Sequence, residues 1–84
     1  MRAGRKRDMT EPAILQALRE IGAAYLLLDA FDVLVLWRGQ LFMLDCKAMN
    51  GRPTLTQQDL LARGWPLHFV VTPQQALAVL GVVS

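Results

Sequence analysis

The stretch FDVLVLWRGQLFMLDCK, residues 31–47, constrains the fold more than any other part of the chain. Two apolar runs, VLVLW and LFMLDC, flank Arg38 and Gly39. Runs of about four to eight apolar residues read as strands, and a two-residue link containing glycine joins them into a hairpin. Both runs are apolar on both faces, so the hairpin is expected at the centre of a sheet covered by helices. Three charges stand at its open end: Asp32 on the first strand, Asp45 and Lys47 on the second. A central hairpin buries what it carries, and buried charge is costly unless it is paired. The fold must therefore do something with these three residues.

Alternation fixes their relation. Asp32, Leu34 and Leu36 share one face of the first strand, and Leu41, Met43, Asp45 and Lys47 share one face of the second. With Arg38 and Gly39 as a two-residue turn, Trp37 pairs with Gln40, and counting back sets Asp32 opposite Asp45. Directly opposed residues have Cβ atoms about 4.5–5.5 Å apart, where like charges repel. A divalent cation would remove that repulsion, and the hard oxygens favour Mg²⁺ or Mn²⁺ over Zn²⁺. Mg²⁺ is commonly held by one or two carboxylates together with substrate phosphate. Lys47 is placed to orient a water or to stabilise charge growing on that phosphate. A plainer reading stays open: Asp45 and Lys47 as a surface ion pair, and Asp32 as a cap on the turn that starts its strand.

The remaining text supplies the other elements. TEPAILQALREIG reads as the first helix, with Pro12 in the first turn, Ile14, Leu18 and Ile21 as the buried stripe, and Gly22 as its cap. Glu11 sits at the helix start, where the dipole favours a carboxylate. YLLLD is the first strand. Asn50, Gly51 and Pro53 mark a loop, and Thr54 with Gln57 matches a capping box opening a short helix that stops at Gly64. PLHFVV is a fourth strand. Thr72, Pro73 and Gln75 open the last helix as a second capping box, and Gly81 ends it. The order is αβββαβα. Cys46 is expected to be a small core residue facing away from Asp45 and Lys47, His68 to be structural, and Trp37 and Trp65 to serve packing or subunit contacts.

A chain of 84 residues makes one domain, taken here as 9–84, with 1–8 as a basic arm. The lone Cys46 excludes an internal disulfide and suits a reducing, cytoplasmic setting. No run approaches ~18 apolar residues, so no membrane span is expected. Apolar residues make up 54% of the chain, and a homodimer would bury the surplus. The net charge of +2 is concentrated: Arg2, Arg5, Lys6 and Arg7 all lie in the arm. Such an arm suits the phosphates of nucleic acid, or is simply a solvated terminus. Arg38, Arg52 and Arg63 are further candidate phosphate contacts.

Asp32 in FD, followed thirteen residues later by the DCK of Asp45, Cys46 and Lys47, resembles the PD-(D/E)xK nuclease signature. Phe31 stands where that family often has proline, and Asp45 takes the aspartate option. The text around it is similar to small phage-type and VRR-NUC-like members: DMTEPAILQALREIG, DVLVLWRGQLFMLDCK, LTQQ, then a strand and TPQQALAVLG. The similarity runs over nearly all of the chain from about Arg7. It implies a restriction-endonuclease-like α/β core, with a mixed central sheet flanked by helices. It also implies a Mg²⁺- or Mn²⁺-dependent DNA endonuclease, with branched or other structured DNA among the candidate substrates and a phage-encoded origin in view. By that resemblance Glu11, Asp32 and Asp45 are the metal ligands and Lys47 the water-activating group. Gln57 is the glutamine of the second helix, with Gln58 in its place if the loop differs. Two other readings remain: a catalytically inactive nucleic-acid-binding module of the same fold, and a structural or partner-binding α/β domain.

Overall fold

A computed structural model describes residues 10–82. Arg2, Arg5, Lys6 and Arg7 of the basic arm lie outside the described residues. The turn at Arg38 and Gly39 has φ of 50° and 78°. Positive values at both central positions match the right-handed twist of the flanking strands and close a two-residue hairpin. The element order is α1 (Thr10–Glu20), β1 (Ala24–Leu27), β2 (Val33–Trp37), β3 (Gln40–Cys46), α2 (Leu55–Ala62), β4 (Leu67–Val70) and α3 (Pro73–Val79). This is a small α/β fold: among the described residues, three helices accompany a four-stranded mixed sheet in the order β1-β2-β3-β4. The first three strands form an antiparallel meander, and β4 returns parallel to β3 after the α2 crossover.

The hairpin register runs from Trp37↔Gln40 to Val33↔Leu44. One more step along both strands brings Asp32 level with Asp45, as the turn count requires. Val33, Val35, Leu44 and Cys46 point to one face, where Ile14 and Leu18 of α1 and Ala76 of α3 close over them. The other face gathers Phe31, Met43 and Leu67 against Leu60 of α2.

That second face is only partly covered, which corrects the expectation of a hairpin sheltered on both sides. Helix α2 has eight residues and so spans only about 12 Å. Leu26, Leu36 and Leu41 stay exposed beyond its reach. An open apolar cleft of about 420 Å³ lies there, lined by Phe31, Leu34, Leu41, Met43 and Trp65 among others, with no charged side chain.

The caps follow the sequence with one exception. At α2, Gln57 N–H donates to Thr54 Oγ1 at 3.1 Å, and Gln57 Oε1 accepts from Thr54 N–H at 3.0 Å. At α3 the box is one-sided. Gln75 N–H donates to Thr72 Oγ1 at 3.1 Å, but Gln75 Oε1 accepts from Val71 N–H at 2.6 Å. Thr72 enters its helix at φ −123°, against −71° for Thr54, and this turns the preceding N–H toward the glutamine.

Candidate metal centre

The residues at the open end of the hairpin are drawn together by backbone first. Lys47 N–H donates to the Val70 carbonyl at 2.9 Å, carrying the β3–β4 ladder one step past the strand. Thr10 Oγ1 donates to the Lys47 carbonyl at 3.4 Å, which ties the first turn of α1 to the same point. Glu11 follows Thr10, and the stripe of Ile14 and Leu18 presses the helix onto the sheet. Helix packing thus delivers Glu11 to the hairpin.

Asp32 behaves differently from a strand residue. It lies in the bend before β2, and its carboxylate turns into the plane of the sheet. Its Oδ2 accepts from Cys46 N–H at 2.9 Å, while its own N–H donates to Asp45 Oδ1 at 3.0 Å. A side chain therefore continues the ladder where the backbone of β2 has not yet begun. This corrects the expectation that Asp32, Asp45 and Lys47 open together on one face. Asp45 and Lys47 lie on the α2 face, Glu11 comes from the α1 face, and the Asp32 carboxylate sits between them at the open end of the β2–β3 pair.

The reading of Asp45 and Lys47 as a surface pair is also corrected. Lys47 Nζ lies 2.7 Å from Asp45 Oδ2, with the side chains 13% and 1% exposed. The ammonium also stands 5.7 Å from the centre of the Phe69 ring. Glu11, Asp32 and Asp45 are 2%, 5% and 0% exposed. Burial pushes the Asp45 carboxyl above the usual aspartate range, and the negative charge of Asp32 pushes it further. The Lys47 ammonium and the Asp32 N–H act against that rise. The ammonium thus holds Asp45 Oδ2, and Asp32 N–H holds Oδ1.

Distance decides which of these residues share a place for a cation. Ligand atoms of Glu11, Asp32 and Cys46 lie within 4.8 Å of one another; Asp45 is not one of that group.

Gln57 is 1% exposed, but its amide is engaged in positioning. Its Oε1 serves the helix cap, and its Nε2 donates to the Ala30 carbonyl at 3.2 Å. It thereby pins the bend that carries Asp32. Gln57→Ala is expected to lose about 1–3 kcal/mol of stability, through the lost cap and the buried space it leaves. Denaturant unfolding measures this. Gln58 is exposed and donates to the Pro53 carbonyl at 3.3 Å, turned back to the loop.

The arginines divide by position. Arg52 is exposed in the loop just past Lys47. Arg38 sits at the hairpin tip, about 20 Å along the strand from Asp45 at the usual rise, with its guanidinium 5.1 Å from the Trp37 ring centre. Arg63 is paired with Asp59 at 2.8 Å, both exposed. Two residues escaped the sequence reading. Thr10 had no signal beyond its place before Glu11. Gly51 read as a loop marker only, yet a Cβ there would meet Lys47 Cβ at 3.1 Å and Cδ at 3.2 Å. Glycine lets the loop close against the lysine stem.

Compared with family models, curated proteins and solved structures, the chain matches none.

Proposed function

We propose that the chain is a divalent-metal-dependent DNA endonuclease built on a restriction-endonuclease-like core, as its PD-(D/E)xK-like pattern implies. The observation that carries this reading is the buried set at the open end of the β2–β3 hairpin: Glu11, Asp32 and Asp45, with Lys47 paired to Asp45. Such a set offers the hard oxygen donors that Mg²⁺ and Mn²⁺ take. Glu11, Asp32 and Asp45 would hold Mg²⁺ or Mn²⁺, and the ion would supply electrostatic stabilisation to a phosphodiester under attack. Lys47 holds Asp45 in place and carries a proton-bearing cation at the same point, able to orient water or to neutralise charge on the phosphate. The α1 contact through Thr10 keeps Glu11 in register with the β3 end. The basic arm, with Arg52 near the centre, would hold the DNA backbone. The uncovered leucine face, free of charge and so compatible with its own copy, would form the homodimer; a particle of one chain mass in light scattering would remove that element.

Deep burial of Asp45 under the Lys47 ion pair favours a second reading, an inactive nucleic-acid-binding module of the same fold. One experiment separates the two. Linear, nicked, branched and single-stranded DNA are incubated with the protein in Mg²⁺, Mn²⁺ or chelator. The nuclease reading expects cleavage in either metal and none in chelator. Binding without cleavage on every substrate would leave the inactive module in its place.

A further inference from the structure

Trp65 was expected to serve packing or a subunit contact, and within one chain it is 52% exposed at the rim of the apolar cleft. The cleft belongs to a larger pattern. On the α2 face of the sheet, Leu26, Leu34 and Met43 form one row across β1, β2 and β3, and Ala24, Leu36 and Leu41 form the next. Leu60 of α2 packs with Phe31, Met43 and Leu67, which raises the β3–β4 side of this face. The other side is left open: Leu26, Leu36 and Leu41 are 62%, 47% and 64% exposed. The face is therefore a step, with a helix on one side, bare sheet on the other and the cleft of about 420 Å³ in the corner.

Two such steps interlock. A two-fold axis running along the strands above β2 leaves each row level with its counterpart. It sets β1 of each copy above β3 of the other, beside that copy's α2, at the ~10 Å spacing of packed sheets. Level rows then fix the partners. Leu26 projects toward the other copy's cleft above Met43, the large Leu41 faces the small Ala24, and Leu36 meets its own counterpart. We propose that a second copy of this chain fills the cleft in this way, with Trp65 of each copy covered by β1 of the other.

The area suits that occupant. Large apolar side chains offer about 150–250 Å² each, so Leu26, Leu36, Leu41 and Trp65 at these exposures leave roughly 400 Å² in water. A homodimer of ordinary size buries about 800 Å² per copy, about 65% of it apolar. Ala24, Pro66 and the half-buried Leu34 and Leu60 belong to the same face and add to that area. The cleft lining carries no charged side chain, so the face does not repel its own copy. The segment ahead of α1, with Arg2, Arg5, Lys6, Arg7 and Asp8, is too charged for an uncharged cleft. The inference rests on the dimer reading of the leucine face, and on neither metal nor catalysis.

The chain has two tryptophans, so Trp65 is the sole reporter in a Trp37→Phe background. The full chain is followed across a dilution series by sedimentation equilibrium and by tryptophan emission, with circular dichroism confirming that each variant is folded. A particle of twice the 9.4 kDa chain mass is expected, and Trp65 emission should move to shorter wavelength as it forms. Leu36→Glu and Leu36→Lys each set two like charges against each other at the axis, and each should weaken the dimer by at least about 100-fold. An equimolar mixture of the two should restore it, because opposite charges then meet. Ala24→Glu, facing Leu41, is a second disruption should a Leu36 variant fail to fold. A particle of one chain mass at every concentration overturns the proposal together with the dimer reading. A dimer that Leu36→Glu and Ala24→Glu leave intact, or whose formation leaves Trp65 emission unmoved, is seated elsewhere and overturns this proposal alone. Trp65 emission that answers to a single-stranded oligonucleotide but not to protein concentration would give the cleft to a base and overturn it as well.

Discussion

Lys47→Ala is expected to slow single-turnover DNA cleavage by about 100- to 1,000-fold, the usual effect of losing one electrostatic donor at a reacting phosphate or carbonyl. DNA affinity, titrated in Ca²⁺ to permit binding without cutting, should change far less, because the arginines remain. The variant has a second consequence. Lys47 is the cation 2.7 Å from buried Asp45, and removing one partner of a buried pair costs about 3–5 kcal/mol. A domain this small could lose its fold for that reason alone. The double variant Lys47→Ala with Asp45→Asn removes both charges and should recover much of that stability. It should remain as slow as Lys47→Ala or slower. Recovery of cleavage along with stability would show that Lys47 acts only as a structural counterion. Equal rates for wild type and Lys47→Ala would end its proposed catalytic role.

Mn²⁺ should raise the melting temperature of the wild type, and the effect should grow with pH. Burial and the charge of Asp32 hold the Asp45 carboxyl above the ordinary aspartate range. Between the ordinary value and the raised one, the folded chain keeps a proton that the unfolded chain has released. This contribution therefore makes the metal-free protein less stable as pH rises through that window. A cation favours the ionised form and offsets the loss. A ligand at about 100 times its Kd adds about 2.7 kcal/mol, and each kcal/mol moves the melting temperature of a small domain by about 4–8 °C. The expected rise at neutral pH is therefore about 10–20 °C, shrinking as the pH is lowered into the window. Asp45→Asn should flatten the metal-free dependence and reduce the Mn²⁺ effect. A rise of equal size in wild type and in Asp32→Asn/Asp45→Asn would assign the ion to another place.

The hairpin was legible in the sequence because two local rules agreed. Arg38–Gly39 fixed the turn, and strand alternation then fixed the partners, so Asp32 fell opposite Asp45 by counting. Glu11 could be brought near only conditionally, since its approach depends on the stripe of Ile14 and Leu18 finding the sheet. Alternation misled where its premise failed. Asp32 is in a bend, so its carboxylate turned into the sheet plane to accept Cys46 N–H. Burial was not legible either. Whether Asp45 and Lys47 meet water depends on the loop that Gly51 lets close against the lysine, and on Phe69 of β4. The uncovered leucines likewise follow from how short α2 is, which patterning alone did not reveal.

The most direct test of the account is where a divalent ion goes. Crystals of the wild type soaked in Mn²⁺, with anomalous scattering used to locate the metal, should give a peak bonded to the Asp32 carboxylate together with Glu11 or Asp45. Chelator should remove it. The account is contradicted if Mn²⁺ leaves this end of the hairpin empty, with Lys47 still paired to Asp45 and Asp32 still bound to Cys46 N–H.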